Sequence, residues 1–133
     1  MKFEFLNSEH ESNFTKYRVE NMGDRFRTSK EYLSVVYLMT GNTELYQKMN
    51  PYFNARSGEF DSNKMFVEQD FCSGLSILAK LAAHLFDSNE VVQPLDIISS
   101  LDEQSFKLAL NSMILHRFGV STSYDIPEEK LFM

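Results

Sequence analysis

The side chains best suited to chemistry in this chain are possible ligands of a metal ion. The single cysteine, Cys72, follows Asp70 by two residues, and His10 lies far upstream. Zinc accepts thiolate, imidazole and carboxylate ligands in tetrahedral sites. No Cys-x-x-Cys or His-x-x-x-His spacing is present, so a zinc site would be assembled from separate helices. Its candidate ligands are Cys72, the nearby acids Glu68 and Asp70, and the histidines His10, His84 and His116. The alternative makes Cys72 a small core residue and His10 a first-turn helix residue, with His84 and His116 on polar faces.

The other chemical patterns are weak. No nucleophile motif, phosphate loop or dinucleotide fingerprint occurs, and none of the five glycines stands in a G-x-G spacing. The paired carboxylates Glu68 and Asp70, and Asp102 and Glu103, are better explained by helix capping or by a solvated surface. We therefore expect that this protein is not an enzyme.

Charge and composition narrow the class of partner. The formal net charge is −6, and because Lys and Arg balance Asp and Glu over residues 1–50, the whole acidic excess lies in residues 51–133. A general nucleic-acid binder needs a basic surface, so direct contact with nucleic acid is disfavoured. The acidic half is compatible with a basic protein partner.

Cysteine usage and hydropathy indicate the compartment. A single cysteine excludes an intramolecular disulfide and fits a reducing compartment. The N-terminal residues hold no apolar stretch of signal-peptide length, and the longest apolar run is interrupted by Lys80 and His84. We expect a protein of the cytosol without a membrane span.

The pattern of apolar residues predicts a mainly α-helical fold. We expect one small domain over residues 1–119, with about six helices, and a flexible tail over residues 120–133. Residues 72–86 are apolar nearly all round, which is typical of a central core helix. On that helix one stripe should be almost fully buried, namely Leu75, Leu78, Ala82 and Leu85.

Capping and stop signals bound the predicted helices. They run from Ser8 to near Gly23, over residues 30–40, from Asn42 or Thr43 to Asn50, over residues 73–86, from Pro94 to Leu101, and over residues 103–117. Ser8 and Glu11 have the spacing of a capping box. Tyr32, Val35, Val36 and Met39 form one stripe of the second helix, and the last helix should turn inward Phe106, Leu110, Met113, Ile114 and Phe118.

Short extended segments are expected beside the helices. Alternation over residues 2–6 predicts a strand or an extended arm anchored by Phe3 and Phe5. Turn-forming residues dominate residues 52–70, where Phe60 and residues 65–67 could form a minor β-hairpin.

Four segments resemble a small domain family of unknown function from phages and prophages of Gram-positive bacteria. They are Phe5-Leu6-Asn7 with His10 and Phe14, Gly41-Asn42 with Leu45-Tyr46, Cys72-Ser73 before the apolar helix, and Leu101-Asp102 with Phe106, Leu108, Ala109 and Leu110. They occur in this order over residues 3–119. The resemblance implies a phage origin. Because His10 and Cys72 lie within the matching segments, it also favours these two as zinc ligands, with an acid such as Asp70 or a further His completing the site. Small, mildly acidic phage proteins include inhibitors of host defence, among them anti-CRISPR proteins directed at the nuclease of type II systems.

We therefore expect a phage protein that binds and inhibits a host defence protein, with the RNA-guided DNA nuclease of a type II CRISPR system as the leading partner. Such an inhibitor would block nucleic-acid loading by occupying a basic channel. The expected contact residues are the acids Asp87, Glu90, Asp96, Asp102 and Glu103 and the aromatic anchors Tyr52, Phe53 and Phe60. In the alternative interpretation, these acids only cap helices and these aromatic residues only fill the core.

Two other functions stay open at this point. One is a small zinc-binding regulatory or enzymatic domain of phage origin. The other is a phage structural or assembly factor.

Overall fold

Helices make up most of residues 1–120, the part of the chain that the computed structural model describes. The α-helices are α1 Ser8–Asn21, α2 Lys30–Thr40, α3 Thr43–Met49, α4 Ser62–Glu68, α5 Ser73–Asp87, α6 Pro94–Ser100 and α7 Glu103–Phe118. Short 3-10 turns span Asp24–Phe26 and Asn50–Tyr52, and the strands β1 Phe53–Asn54 and β2 Glu59–Phe60 form an antiparallel hairpin. The prediction of a single, mainly helical domain is confirmed. The tail expected beyond residue 120 lies outside the described residues.

Helix α2 is the centre of the domain. Every residue from 33 to 39 is buried, and α1, α3, α5 and α7 all pack on this helix. The prediction that α5 is the central helix was therefore wrong. Lys80 and His84 are exposed on α5, because their spacing of four residues places both on one solvent-facing side. Within residues 1–120, no helix is long and apolar enough to cross a membrane.

The predicted stripe of α5 packs as expected over most of its length. Leu75, Leu78 and Ala82 are at most 6% exposed. Leu85 is only half-buried, since it lies in the last turn, where α5 leaves the core. Burial of this stripe places α5 against α2 and α7.

Helix α7 presents a different face to the core from the predicted one. Its buried residues are Leu108, Ala109, Ser112 and Leu115, whereas Leu110 and Phe118 are 40% and 52% exposed. Of the other residues predicted to face inward, Phe106, Met113 and Ile114 are half-buried. The small side chains at positions 109 and 112 let α7 approach α2 closely, and the Ser112 hydroxyl donates to the Ala109 carbonyl at 2.7 Å. The close packing of α7 on α2 thus decided which face of α7 is buried.

Residues 2–6 form an arm without a strand partner. Phe3 and Phe5 pack their rings against Phe14 and Tyr37. The Glu4 amide donates to Asn111 Oδ1 at 2.8 Å, and the Tyr37 hydroxyl donates to the Glu4 carbonyl. Side chains of α2 and α7 take the bonds that a neighbouring strand would have taken, so the predicted strand is absent from this segment.

Two local predictions need correction. Asn7, one residue before the predicted cap Ser8, caps α1, and its Oδ1 accepts from the His10 amide at 2.8 Å. The hairpin pairs Phe53 with Phe60, whereas residues 65–67 lie in α4. Asp61 starts that helix, because its Oδ1 accepts from the Lys64 amide.

Deleting the side chain of Leu78 tests the core. Leu78 is fully buried, so Leu78→Ala should lower the free energy of unfolding by about 2–5 kcal/mol through cavity formation. Val67 is 85% exposed, so the matched control Val67→Ala should change the free energy of unfolding by less than about 0.5 kcal/mol. Urea denaturation followed by circular dichroism measures both values. Equal stability of the two variants would contradict the packing described here.

A pair of glycine substitutions tests the contact at the end of α2. A Cβ at Gly41 would overlap the buried Leu108 and lie 3.2 Å from the His10 ring, so Gly41→Ala should cost about 1–3 kcal/mol. At Gly74, in the first turn of α5, a Cβ meets only Leu101, at 3.9 Å. Gly74→Ala should therefore stabilise the protein by about 0.4–1 kcal/mol. In thermal denaturation, Gly41→Ala should lower the melting temperature and Gly74→Ala should raise it. A stabilising Gly41→Ala would contradict the close contact of Gly41 with Leu108 and His10.

Candidate functional site

Helix α6 turns apolar side chains to solvent. Leu95 and Ile98 are each 65% exposed, and their spacing of three residues places them on one face. Val91, in the segment that leads into the helix, is 76% exposed. Ile97 is buried and attaches α6 to the domain, where the helix packs on α5 and α7. An exposed apolar patch of this kind is typical of an interaction site.

Acidic side chains flank this apolar patch in the sequence. They are the five acids predicted to contact a partner: Asp87, Glu90, Asp96, Asp102 and Glu103. Glu90 is half-buried and the other four are exposed. No Lys or Arg occurs in the sequence between Lys80 and Lys107. We call Val91, Leu95 and Ile98 together with these five acids the α6 surface.

Some of these acids also have structural roles. Asp102 caps α7, because its Oδ1 accepts from the Ser105 amide at 2.7 Å, and this bond lowers the pKa of the Asp102 carboxyl. Asp87 Oδ1 accepts from the Asn89 amide at 3.0 Å, and Glu103 lies 3.8 Å from Lys107. Within residues 1–120, the carboxylates of Glu90 and Asp96 form neither ion pairs nor hydrogen bonds. Capping therefore explains part of the acidic set and leaves the rest available.

The aromatic residues predicted as anchors lie elsewhere. Phe53 is 4% exposed and packs on Phe60 and Phe86, so its prediction as an interface anchor was wrong. Phe60 is half-buried in the same cluster. The Tyr52 hydroxyl is occupied as well, since it donates to Glu68 at 2.8 Å and accepts from Gln69. Aromatic residues of the irregular segment fill the core because β1 and β2 fold back onto it.

Sequence reasoning missed the exposed apolar residues Leu95 and Ile98 of α6, because short helices carry a weak periodic signal. One signal was nevertheless present. Ile97 and Ile98 are adjacent, and adjacent residues on a helix point about 100° apart. Only one of the two can face the core, which leaves the other for solvent.

The predicted zinc ligands occupy three different environments. Cys72 is an exposed free thiol at the start of α5, so the alternative that placed it in the core was wrong. Asp70 is exposed, and its backbone carbonyl accepts from Lys48. In the part of the chain from 1 to 120, no three His, Cys, Asp or Glu side chains group as ligands. The zinc site stays a prediction without a ligand cluster in these residues.

His10 lies in the first turn of α1, as the alternative to a zinc site expected, and it is a core residue. It is 2% exposed; Nδ1 accepts from the Leu6 amide at 3.2 Å, and Nε2 donates to the Tyr37 carbonyl at 2.9 Å. This pattern needs the neutral ring with its proton on Nε2. Burial lowers the pKa of His10, and the bond to Tyr37 opposes that effect in part. Both nitrogens are occupied, so a metal would have to displace one of these bonds.

Comparison with known proteins assigns no family to this chain. The chain matches no family model, and searches of curated proteins and of solved structures find no match.

The pH dependence of stability tests the state of His10. Because the folded pKa lies below the unfolded value of about 6.5, the folded state binds fewer protons. The contribution of neutral His10 to the free energy of unfolding is therefore complete above pH 6.5, and it is lost as the pH falls through the folded pKa. We expect the melting temperature to fall between pH 7 and 5, and His10→Gln should reduce this slope. His84→Gln, at an exposed position, is the control, and an unchanged slope in His10→Gln would contradict the prediction.

Proposed function

We propose that this protein binds and inhibits a host defence protein in the bacterial cytosol, with the RNA-guided DNA nuclease of a type II CRISPR system as the leading partner. The observation that supports the proposal is the α6 surface, where exposed Leu95 and Ile98 are accompanied by five acids. Interfaces commonly combine an apolar centre with a polar rim. Nucleases of this class hold nucleic acid in a positively charged channel, which is the complementary surface.

In the proposed inhibition, the α6 surface occupies the positively charged channel of the nuclease. Asp87, Glu90 and Asp96 would meet Lys and Arg side chains that otherwise hold phosphates, and Leu95 and Ile98 would exclude water from the contact. Nucleic acid could then no longer load. The acidic rim also repels phosphate, so the protein acts without binding nucleic acid itself.

A DNA-cleavage assay with type II effectors tests this proposal. Excess protein that is added before the guide RNA should prevent cutting. The same amount should inhibit less when it is added after the nuclease has bound guide RNA and DNA. Inhibition should weaken as salt rises, because charges are screened over about 10 Å at 0.1 M ionic strength. Full cutting across several effectors would overturn the proposed function.

Charge reversal locates the surface. The triple variant Asp87→Lys, Glu90→Lys and Asp96→Lys should weaken inhibition at least about tenfold, the scale of one lost hot-spot contact. Glu11→Lys, Glu20→Lys and Glu59→Lys change the net charge equally at exposed positions outside the α6 surface and should leave inhibition intact. Leu95→Ala with Ile98→Ala should act like the triple variant. Inhibition that survives both α6 variants would reject this surface while preserving the function.

A further inference from the structure

A polar groove runs along helix α1, and no residue of the α6 surface lines it. Its first part is a cleft of about 330 Å³ between α1 and the turn from α2 to α3. Its second part, of about 410 Å³, continues toward the hairpin. Tyr17, Asn21 and Tyr46 line both parts, so the two clefts form one groove. We call it the α1 groove.

Asparagine side chains line the α1 groove from end to end. They are Asn7, Asn13, Asn21, Asn42, Asn50 and Asn54. Asn7 and Asn42 use only Oδ1, as caps of α1 and α3, and their amide NH₂ groups make no bond within the described chain. The side chains of Asn13, Asn21 and Asn50 make no hydrogen bond to any of residues 1–120. The groove therefore offers several free amides, each of which can donate and accept.

The hydroxyl of Tyr17 is a second and independent feature. Tyr17 is 5% exposed, yet its hydroxyl has no hydrogen-bond partner among residues 1–120. In the same part of the chain, every fully buried polar side-chain atom has a partner, so the Tyr17 hydroxyl must reach the groove. Burial and the neighbouring Tyr46 raise the pKa of Tyr17 to about 12, which keeps the hydroxyl protonated as a donor. Because the Tyr17 ring is buried while its hydroxyl keeps contact with solvent, the hydroxyl can exchange a water molecule for a ligand atom.

The charges and ring contacts of the groove exclude other ligand classes. Lys16 and Glu9 oppose each other in charge, and Arg56 donates to the Glu20 carbonyl, so no cluster of cations awaits a phosphate. Tyr17 stacks on Phe53 with ring centroids 6.5 Å apart, so one face of its ring is covered and less ring surface is open to a sugar. Most lining residues carry polar side chains, which disfavours an apolar helix as the ligand. A neutral ligand rich in amides fits best.

Spacing along α1 matches an extended chain. Asn13, Tyr17 and Asn21 follow one another at intervals of four residues, a rise of about 6 Å each, close to the two-residue repeat of about 6.6–6.8 Å in an extended peptide. From Asn7 to Asn21 the helix rises about 21 Å, the length of about six extended residues. We propose that the α1 groove binds an extended, uncharged polar peptide segment of about six residues through its backbone. This site is independent of the proposed inhibition at the α6 surface.

Selection from a random heptapeptide display library on the immobilised full-length protein tests this proposal. Synthetic versions of the selected peptide would then be measured by calorimetry. N-methylation of alternate peptide bonds should weaken binding at least tenfold, because it removes backbone donors, whereas exchange of single side chains should matter less. Maltotriose and adenosine monophosphate should not compete. A library that yields no binder, or competition by either small molecule, would overturn the proposal.

Substitutions at the exposed Asn13 and Asn21, and one at Tyr17 that removes only a hydroxyl, avoid loss of folding. Asn13→Ala with Asn21→Ala should reduce peptide affinity at least tenfold, and Tyr17→Phe, which removes only the hydroxyl, several-fold. Gln47→Ala, at an exposed position of α3 outside the groove lining, is the matched control and should bind normally. Unchanged affinity in the Asn13/Asn21 variant would place the peptide elsewhere and overturn the assignment. The peptide should leave nuclease inhibition unaffected. The proposal for the α1 groove and the proposed inhibition can therefore be rejected independently.

Discussion

Burial of α2 on all sides is the constraint on which the rest of the structure depends. Residues 33–39 are removed from water as a continuous run, which requires neighbours on every face of a single helix. Helices α1, α3, α5 and α7 provide them. Because a helix with no solvent side cannot be amphipathic, the surrounding helices carry the polar faces of the domain. The two proposed binding surfaces therefore lie on the outer sides of the domain's other helices.

The polar groups of this buried helix explain the contacts at the N-terminal end of the chain. The Tyr37 hydroxyl bonds to the carbonyl of Glu4, and the Tyr37 carbonyl accepts from the His10 ring. A buried hydroxyl or carbonyl without such a partner would cost free energy, so the arm over residues 2–6 and the first turn of α1 are held against α2. The same packing brings Gly41 against the His10 ring and Leu108. One cluster thus joins the arm, α1, α2 and α7.

The two surfaces distinguished here follow from different features of the outer helices. Helix α6 is too short to bury more than Ile97 fully, so Leu95 and Ile98 stay in solvent among the acids of residues 87–103. Helix α1 instead buries only His10, Phe14 and Tyr17, and its remaining polar residues border the groove. The two proposals therefore call for different partners, since binding at the α6 surface would rely on charge and binding in the α1 groove on hydrogen bonding.

The sequence by itself determined the helical class, the bounds of α2 and α5 to within about a residue, and the acidic character of residues 87–103, because caps, stops and charge are local properties. Only the tertiary structure decided which helix is central, which face of α7 is buried, and that Phe53 and His10 are core residues while Cys72 is exposed. Burial depends on residues distant in sequence that compete for the same volume. In helices that are apolar on several sides, such as α7, the periodicity does not select one face, and close packing against small residues does.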